Sequence, residues 1–282
     1  INIRGLKRYA VAHEVEIKVP KIMDKTGKKV AIVGGGPSGL SAAYYLSIMG
    51  HDVTVYEQRK KLGGMLRYGI PAYRLPREIL DHEIEGLMKT GFKVETDISI
   101  GKDISLAQLK KDYDAVYVSI GAHTDKKLGI PGEDAEGVIS AVEMLRNIGD
   151  DHYPDFSGLE VVVVGGGNVA MDVARSAVRL GAKTVKVAYS RRKVDMTALP
   201  EEVEGAIADG CDIVELHSPV RIEKDEKGHC KSIILKPQII GGVRYGRPSP
   251  KDSQSPEIEV KADLVLVAIV QGIDFRKFDE YQ

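Results

Sequence analysis

One pattern written twice constrains what this chain can fold into. The first copy runs from Lys29 to Gln58, KVAIVGGGPSGLSAAYYLSIMGHDVTVYEQ, and the second, about 130 residues later, from Leu159 to Arg192, LEVVVVGGGNVAMDVARSAVRLGAKTVKVAYSRR. Each opens with a continuous apolar run, VAIV or VVVV, which suits a strand buried on both faces of a parallel sheet. A glycine triplet follows, then a helical stretch rich in small residues, closed at Gly50 or Gly181 where a helix C-terminus favours glycine. A second strand ends each copy, Val53–Glu57 or Val185–Tyr189. A repeated β-α-β unit of this kind predicts an α/β chain with two doubly wound parallel-sheet domains. The length of 282 residues agrees with two domains, at roughly 100–200 residues each.

The glycines define what the loops are for. In GGGPSG, Gly34 permits a tight turn, Gly36 lets the backbone approach a pyrophosphate, and Gly39 lets the helix pack closely on the strand. The pyrophosphate would sit at the helix N-terminus, where unpaired N–H groups and the helix dipole favour an anion. Glu57 ends the next strand, where a carboxylate accepts hydrogen bonds from a ribose diol and repels a 2′-phosphate. In GGGNVA, Gly165 and Gly167 take the first two roles, while Ala170 stands in the third, where only helix packing is at stake. Aligning the helix ends puts Tyr189 opposite Glu57 after one inserted residue. The second unit therefore lacks the carboxylate and runs through Ser190 into Arg191 and Arg192, a pair of forked donors that suits a doubly charged phosphate. Two surface arginines after a strand are the plainer reading, so NADP over NAD is an expectation here. Both domains read as Rossmann-like dinucleotide-binding domains.

Between the repeats lie RYGIPAYRLP (Arg67 to Pro76), a helical stretch over Glu78–Lys89, a strand in DYDAVYVSIGA that stops in a Gly-Ala turn at Gly121, and a turn at Pro131–Asp134. Beyond the second repeat, Ile213–Ile222 and Ser232–Ile239 read as strands around the turn EKDEKGH. A polar loop, PSPKDSQSP, precedes one more buried strand, Asp263–Val270. Asp172 and Arg175 read as an exposed pair three residues apart on a helix. Glu201 and Glu202 read as the dipole-favoured start of a helix after Pro200. A second glycine pair, Gly63–Gly64, marks another close backbone approach.

The motifs GGGPSGLSAA, GG-x-LRYGIP-x-x-RLP and GGGNVAMDVARSAVRLGA, taken in order, resemble the small (β) subunit of bacterial glutamate synthase. They are similar, too, to the NADPH/FAD half of dihydropyrimidine dehydrogenase and to the flavoprotein subunits of ferredoxin:NADP transhydrogenases. The resemblance implies that the first site takes FAD, with Gly34, Gly36, Gly39, Glu57, Gly64 and Arg67 as contacts, and Pro37, Ser38, Gln58 and Gly121 counted with them. It implies that the second takes NADP, with Gly165, Gly167, Asn168, Val169, Ala170, Ser190, Arg191 and Arg192. It implies an NADP domain inserted within the FAD domain. The expected organisation is a connector over 1–27, an incomplete FAD-binding domain over 28–133, an NADP-binding domain over 134–275, and the start of a return to the FAD domain over 276–282. Hydride passing between NADPH and FAD, then electrons to iron–sulfur clusters or a larger partner subunit, is the implied activity. Such a transfer needs no acid or base from the protein, which fits the lack of an obvious catalytic dyad.

The chain also departs from that pattern. The family's cysteine-rich N-terminal domain is not in it, Val270 stands where the relatives usually show glycine, and the C-terminal segment that completes the FAD site is not in it. A chain that opens at Ile1 without methionine reads as a fragment. Two alternatives stay open at this point: an FAD/NADPH reductase of some other small-molecule acceptor, and a nucleotide-binding module without catalysis. Only Cys211 and Cys230 are present, with no CxxC, which removes a redox-active dithiol and argues against thiol substrates. The seven histidines lack metal-ligand spacing, so no metal is expected. Forty basic residues against forty-one acidic ones give no reason to expect nucleic acid or a membrane surface as partner. Without a signal peptide or a run of about eighteen apolar residues, the expectation is a cytoplasmic protein.

Overall fold

Valine-rich runs flanked by glycine turns become the centres of two parallel sheets in a computed structural model, which describes residues 1–13, 18–244 and 246–273. The described residues divide into two units, one built from Ile1–Gly64 and Pro76–Ile120, the other from Met65–Leu75 and residues 121–273.

In the first unit, helix α1 (Ile3–Ala12) is followed by β1 (Lys29–Val33), α2 (Pro37–Ile48) and β2 (Asp52–Tyr56). After α3 (Met65–Tyr68), which belongs to the other unit, come α4 (Arg77–Met88), β3 (Lys93–Glu95), α5 (Leu106–Asp112) and β4 (Ala115–Val118). The strands form one parallel sheet in the order β3-β2-β1-β4. Its central strand β1 packs Ala31 and Val33 against Ile100, Leu106 and Leu109, while Leu40 and Ala43 of α2 are buried. The segment read as a connector thus carries a helix, α1, none of whose residues is buried.

The second unit holds β5 (Thr124–Asp125), β6 (Val138–Ser140), α6 (Ala141–Gly149), β7 (Glu160–Val164), α7 (Asn168–Arg179), β8 (Thr184–Tyr189), α8 (Pro200–Ala208) and β9 (Asp212–Glu215). It continues through β10 (His217–Lys224), β11 (Cys230–Arg244), β12 (Arg247–Asp252), β13 (Ile258–Lys261), β14 (Leu264–Val267) and β15 (Gln271–Gly272). A five-stranded parallel sheet runs β6-β14-β7-β8-β9. Because side chains alternate along a strand, Val161 and Val163 of β7 face α6, α7 and α8. Val162 and Val164 face the other way, onto Ile222, Ile233, Leu235 and Val260 of an antiparallel sheet. A second sheet therefore covers the face where a doubly wound fold usually carries helices.

Two readings of this region are corrected. Ile213–Ile222 is two strands, because Leu216 takes a left-handed conformation (φ 57°) and turns the chain out of the parallel sheet after β9. The polar stretch PSPKDSQSP begins as strand β12, which pairs antiparallel with the far half of β11. Its prolines are tolerated because β12 is an edge strand, where missing N–H groups break no inner ladder. The boundaries also differ: Met65–Leu75 and residues 121–133, read as parts of the first domain, pack with the second unit. The return expected over 276–282 lies outside the described residues. Among the described residues, no helix is long and apolar enough to cross a membrane.

Candidate functional site

Backbone contacts leave no room for a β-carbon at three of the first loop's glycines, Gly34, Gly39 and Gly64. Gly34 has φ 107°, and a β-carbon there would lie 2.4 Å from the Ser119 carbonyl oxygen at the end of β4. At Gly39 it would lie 1.9 Å from the Gly34 carbonyl oxygen, so α2 rests directly on the turn. Gly64 (φ 51°) presses its backbone on Gly36, where an added β-carbon would come within 2.6 Å of the Gly36 Cα. Gly63 N–H donates to the Gly35 carbonyl at 2.9 Å, so the second glycine pair lies against the first loop. Gly36 caps α2 with extended backbone, Pro37 fills the first helical position, and no side chain caps the helix. Ser38 Oγ and the Tyr117 hydroxyl lie 2.9 Å apart, tying α2 to β4.

Glu57 closes the loop from the side. Its Oε2 accepts from Gly35 N–H at 2.7 Å and its Oε1 from Arg59 N–H at 2.9 Å, and the residue is 6% exposed. Burial pushes the carboxyl up from its ordinary range, and the N–H groups of Gly35, Arg59 and Gln58 and the charge of Arg59 oppose that shift. A carboxylate offers about four acceptor positions, so these backbone bonds leave one for a ribose hydroxyl. Gln58 beside it is exposed. Gly121 takes φ 66° in the second unit, close to the His123 ring. Arg67 is buried at 3% in α3, the segment that packs with the second unit.

The second loop repeats the frame in different residues. Gly165 has φ 146°, and a β-carbon would lie 2.3 Å from the Ala268 carbonyl oxygen at the end of β14. Gly167 caps α7 with extended backbone and no side-chain cap. Asn168 Oδ1 accepts from Leu199 N–H at 2.9 Å, holding the approach to α8. Val169 packs on the core, and Ala170 is fully buried in it.

Strand register shows which residues correspond. Val33 pairs with Tyr56 and Val164 with Ala188, so the next residues, Glu57 and Tyr189, are counterparts. Glu57 Oε2 lies 3.2 Å from where a Gly35 β-carbon would be, and the Tyr189 ring 2.4 Å from that of Gly166. The Tyr189 hydroxyl donates to the Asp195 carbonyl at 2.9 Å and accepts from Arg247 Nη2 at 3.1 Å. Ser190 is half-buried. Arg191 Nε donates to the Pro248 carbonyl at 2.6 Å. Arg192, with its side chain 49% exposed, closes its fork on Asp195, Nε to Oδ2 at 2.8 Å and Nη2 to Oδ1 at 3.0 Å. Sequence reasoning missed Arg247, which lies 58 residues from Tyr189, immediately before the stretch read as a loop.

The reading of Asp172 and Arg175 as an exposed pair is overturned. Asp172 is 3% exposed, and both its oxygens accept from Arg74 Nη1, at 2.9 and 2.8 Å. Arg74 also meets Glu202 at 2.9 Å, while Arg175 reaches Asp209 at 2.8 Å and Glu202 at 3.2 Å. The Tyr73 ring lies under the guanidinium groups of Arg175 and Arg179, 4.9 and 4.1 Å from its centre. Burial pushes the Asp172 carboxyl up to about 6, against the pull of Arg74. Glu202 opens α8 as its position after Pro200 implies. Cys211 and Cys230 are free and lie in separate cores, each thiol raised to about 11 chiefly by burial.

Comparison with known proteins agrees with this frame. Over 257 residues the chain is 42% identical to the NADP(+)-dependent formate dehydrogenase subunit beta of Moorella thermoacetica, covering 90% of this chain and 36% of that protein. It is 38% identical over 283 residues to the NADPH-Fe(3+) oxidoreductase subunit beta of Geobacter sulfurreducens, 97% of this chain and 42% of that one. With the glutamate synthase [NADPH] small chain of Escherichia coli it shares 32% over 264 residues, 89% of this chain and 55% of that one. The chain thus spans about a third to somewhat over half of these relatives. In fold it matches Mycobacterium tuberculosis FprA solved in complex with NADPH, with TM-score 0.73 and 23% identity over 86% of this chain and 70% of that one. The sequence model described as pyridine nucleotide-disulphide oxidoreductase matches residues 28–275, and the chain belongs to that family.

Proposed function

We propose that this chain is the nucleotide-binding core of an NADPH-dependent flavin oxidoreductase, with FAD on the first loop and NADP on the second. The observation that carries the reading is the exchange of Glu57 for Tyr189 at matching strand ends, with arginines beside the second. On this reading Gly34, Gly36, Pro37, Ser38, Gly39, Glu57, Gln58, Gly64, Arg67 and Gly121 serve the flavin nucleotide. Gly165, Gly167, Asn168, Val169, Ala170, Ser190, Arg191 and Arg192 serve the nicotinamide nucleotide. The residues of the first loop fit such a ligand: a turn packed on backbone at Gly34, Gly39 and Gly64, a helix start without a side-chain cap, and a buried carboxylate that accepts from backbone N–H groups.

FAD, when bound, supplies a two-electron acceptor for the hydride of NADPH, so the protein need provide only binding, orientation and electrostatics. The absence of a reactive thiol supports this division of labour, since both cysteines are buried and held protonated. The named relatives are subunits or a small chain, which supports passage of electrons onward to a partner subunit; iron–sulfur clusters are the acceptor that the sequence resemblance implies. The test is rapid mixing of the full-length protein with NADPH. Bleaching of flavin absorbance, faster with NADPH than with NADH, is the expected result; unchanged absorbance would leave a nucleotide-binding module without redox chemistry.

A further inference from the structure

The hairpin formed by β11 and β12 returns the chain to the end of β8, where it supplies a guanidinium and a carbonyl. Arg247, the first residue of β12, donates from Nη2 to the Tyr189 hydroxyl at 3.1 Å and to the Asp195 carbonyl at 3.3 Å. Its neighbour Pro248 accepts from Arg191 Nε at 2.6 Å. We propose that Arg247, together with Arg191, receives the 2′-phosphate of NADP and so determines specificity for the phosphorylated nucleotide. This rests on the reading of the second loop as the NADP site and adds a residue to it.

Three observations support the inference. First, Arg247 lies within a hydrogen bond of the side chain that stands where the first unit has its carboxylate. Second, Arg191 spends one nitrogen on one neutral oxygen and Arg247 one nitrogen on two, and, among the described residues, neither is paired with a carboxylate. Their remaining N–H groups suit an acceptor with several oxygens and two charges, which planar guanidinium forks bind better than an ammonium does. Third, Arg192 differs, because both arms of its fork are already taken by Asp195 and its charge is balanced there. The arginine pair that sequence spacing picks out is thus divided, one member satisfied and the other facing a partner from a distant hairpin.

The test is titration of the full-length protein with NADP+, NAD+ and 2′,5′-ADP, for the parent, Arg247→Gln and Arg192→Gln. The inference expects Arg247→Gln to weaken NADP+ and 2′,5′-ADP by roughly tenfold to a hundredfold, the effect of one charged hydrogen bond, with NAD+ unchanged. Arg192→Gln should cost less. Arg247→Lys keeps the charge without the fork and should lie between parent and Arg247→Gln, which also serves if the glutamine variant fails to fold. Full retention of the NADP+ preference in Arg247→Gln or Arg247→Lys overturns the proposal, as does equal weakening of NADP+ and NAD+ or a larger loss in Arg192→Gln. A parent that binds both nucleotides equally overturns the NADP reading itself, and the role of Arg247 with it.

Discussion

The two β-α-β units are the same device tuned to different ends. In both, the first loop glycine is held against the carbonyl at the end of the neighbouring strand, where a β-carbon would lie 2.4 Å from Ser119 O or 2.3 Å from Ala268 O. That steric demand is independent of ligand, and it is kept. The units diverge at two other points. Gly39 has no space for a methyl, whereas Ala170 carries one in the core, so α2 seats more closely on its turn than α7. At the strand end, a buried carboxylate in one unit is replaced in the other by a phenol that accepts from Arg247 and donates to the Asp195 carbonyl. The helices differ as well: α2, PSGLSAAYYLSI, has no charged residue, while α7 carries Asp172, Arg175 and Arg179 in an ion-pair network. Loop geometry is thus conserved between the units by packing, and ligand choice is free to change at the edge.

The largest expected effect breaks the comparison on the charged side. Arg74→Ala leaves Asp172 buried without its partner, and the second unit should lose about 3–5 kcal/mol, the usual cost of stranding a buried charge. Thermal unfolding followed by circular dichroism would register it, and a loss under about 1 kcal/mol would show that the network does not brace α7. Next comes the steric contrast: Gly39→Ala should cost about 1–3 kcal/mol because backbone must move to admit the methyl, while Ala170→Gly should cost only about 1 kcal/mol. Urea denaturation of both variants tests the ordering, and an equal or reversed pair would remove the claim that α2 seats more closely.

A further effect is one of pH. The Asp172 carboxyl is raised in the folded chain to about 6 from 3.8, so its contribution to stability is fully present below about pH 4 and is lost as the pH climbs through about 6. Burial is the main source of that loss; Arg74 and Arg175 reduce it and the charge of Glu202 adds to it. Asp172→Asn should flatten this part of the stability profile; an unaltered slope between pH 4 and 6 would assign the titration to another group.

Most of the frame was legible because it is local. A strand, a turn and a helix written in one continuous stretch reveal themselves through apolar runs and glycine spacing, and Tyr189 could be set against Glu57 by aligning helix ends alone. What stayed hidden depends on contacts between distant residues. Nothing near Tyr73 or Arg74 announces that Met65–Leu75 packs against α7, because its partners lie about 100 residues away. The run from Ile213 to Ile222 keeps its β-forming composition through the bend at Leu216, so the change of sheet leaves no mark in its pattern. Arg247 hid immediately before a stretch whose prolines read as loop, since edge pairing to β11 could not be foreseen from local propensity.

The central claim, that the strand-end residue assigns each loop its own nucleotide, is tested most directly by Glu57→Ala in the full-length protein, titrated calorimetrically with FAD and with NADP+. FAD binding should weaken by about 1.5–3 kcal/mol, one charged hydrogen bond, while NADP+ affinity stays within error of the parent. Equal losses for the two ligands, or a loss confined to NADP+, would contradict it.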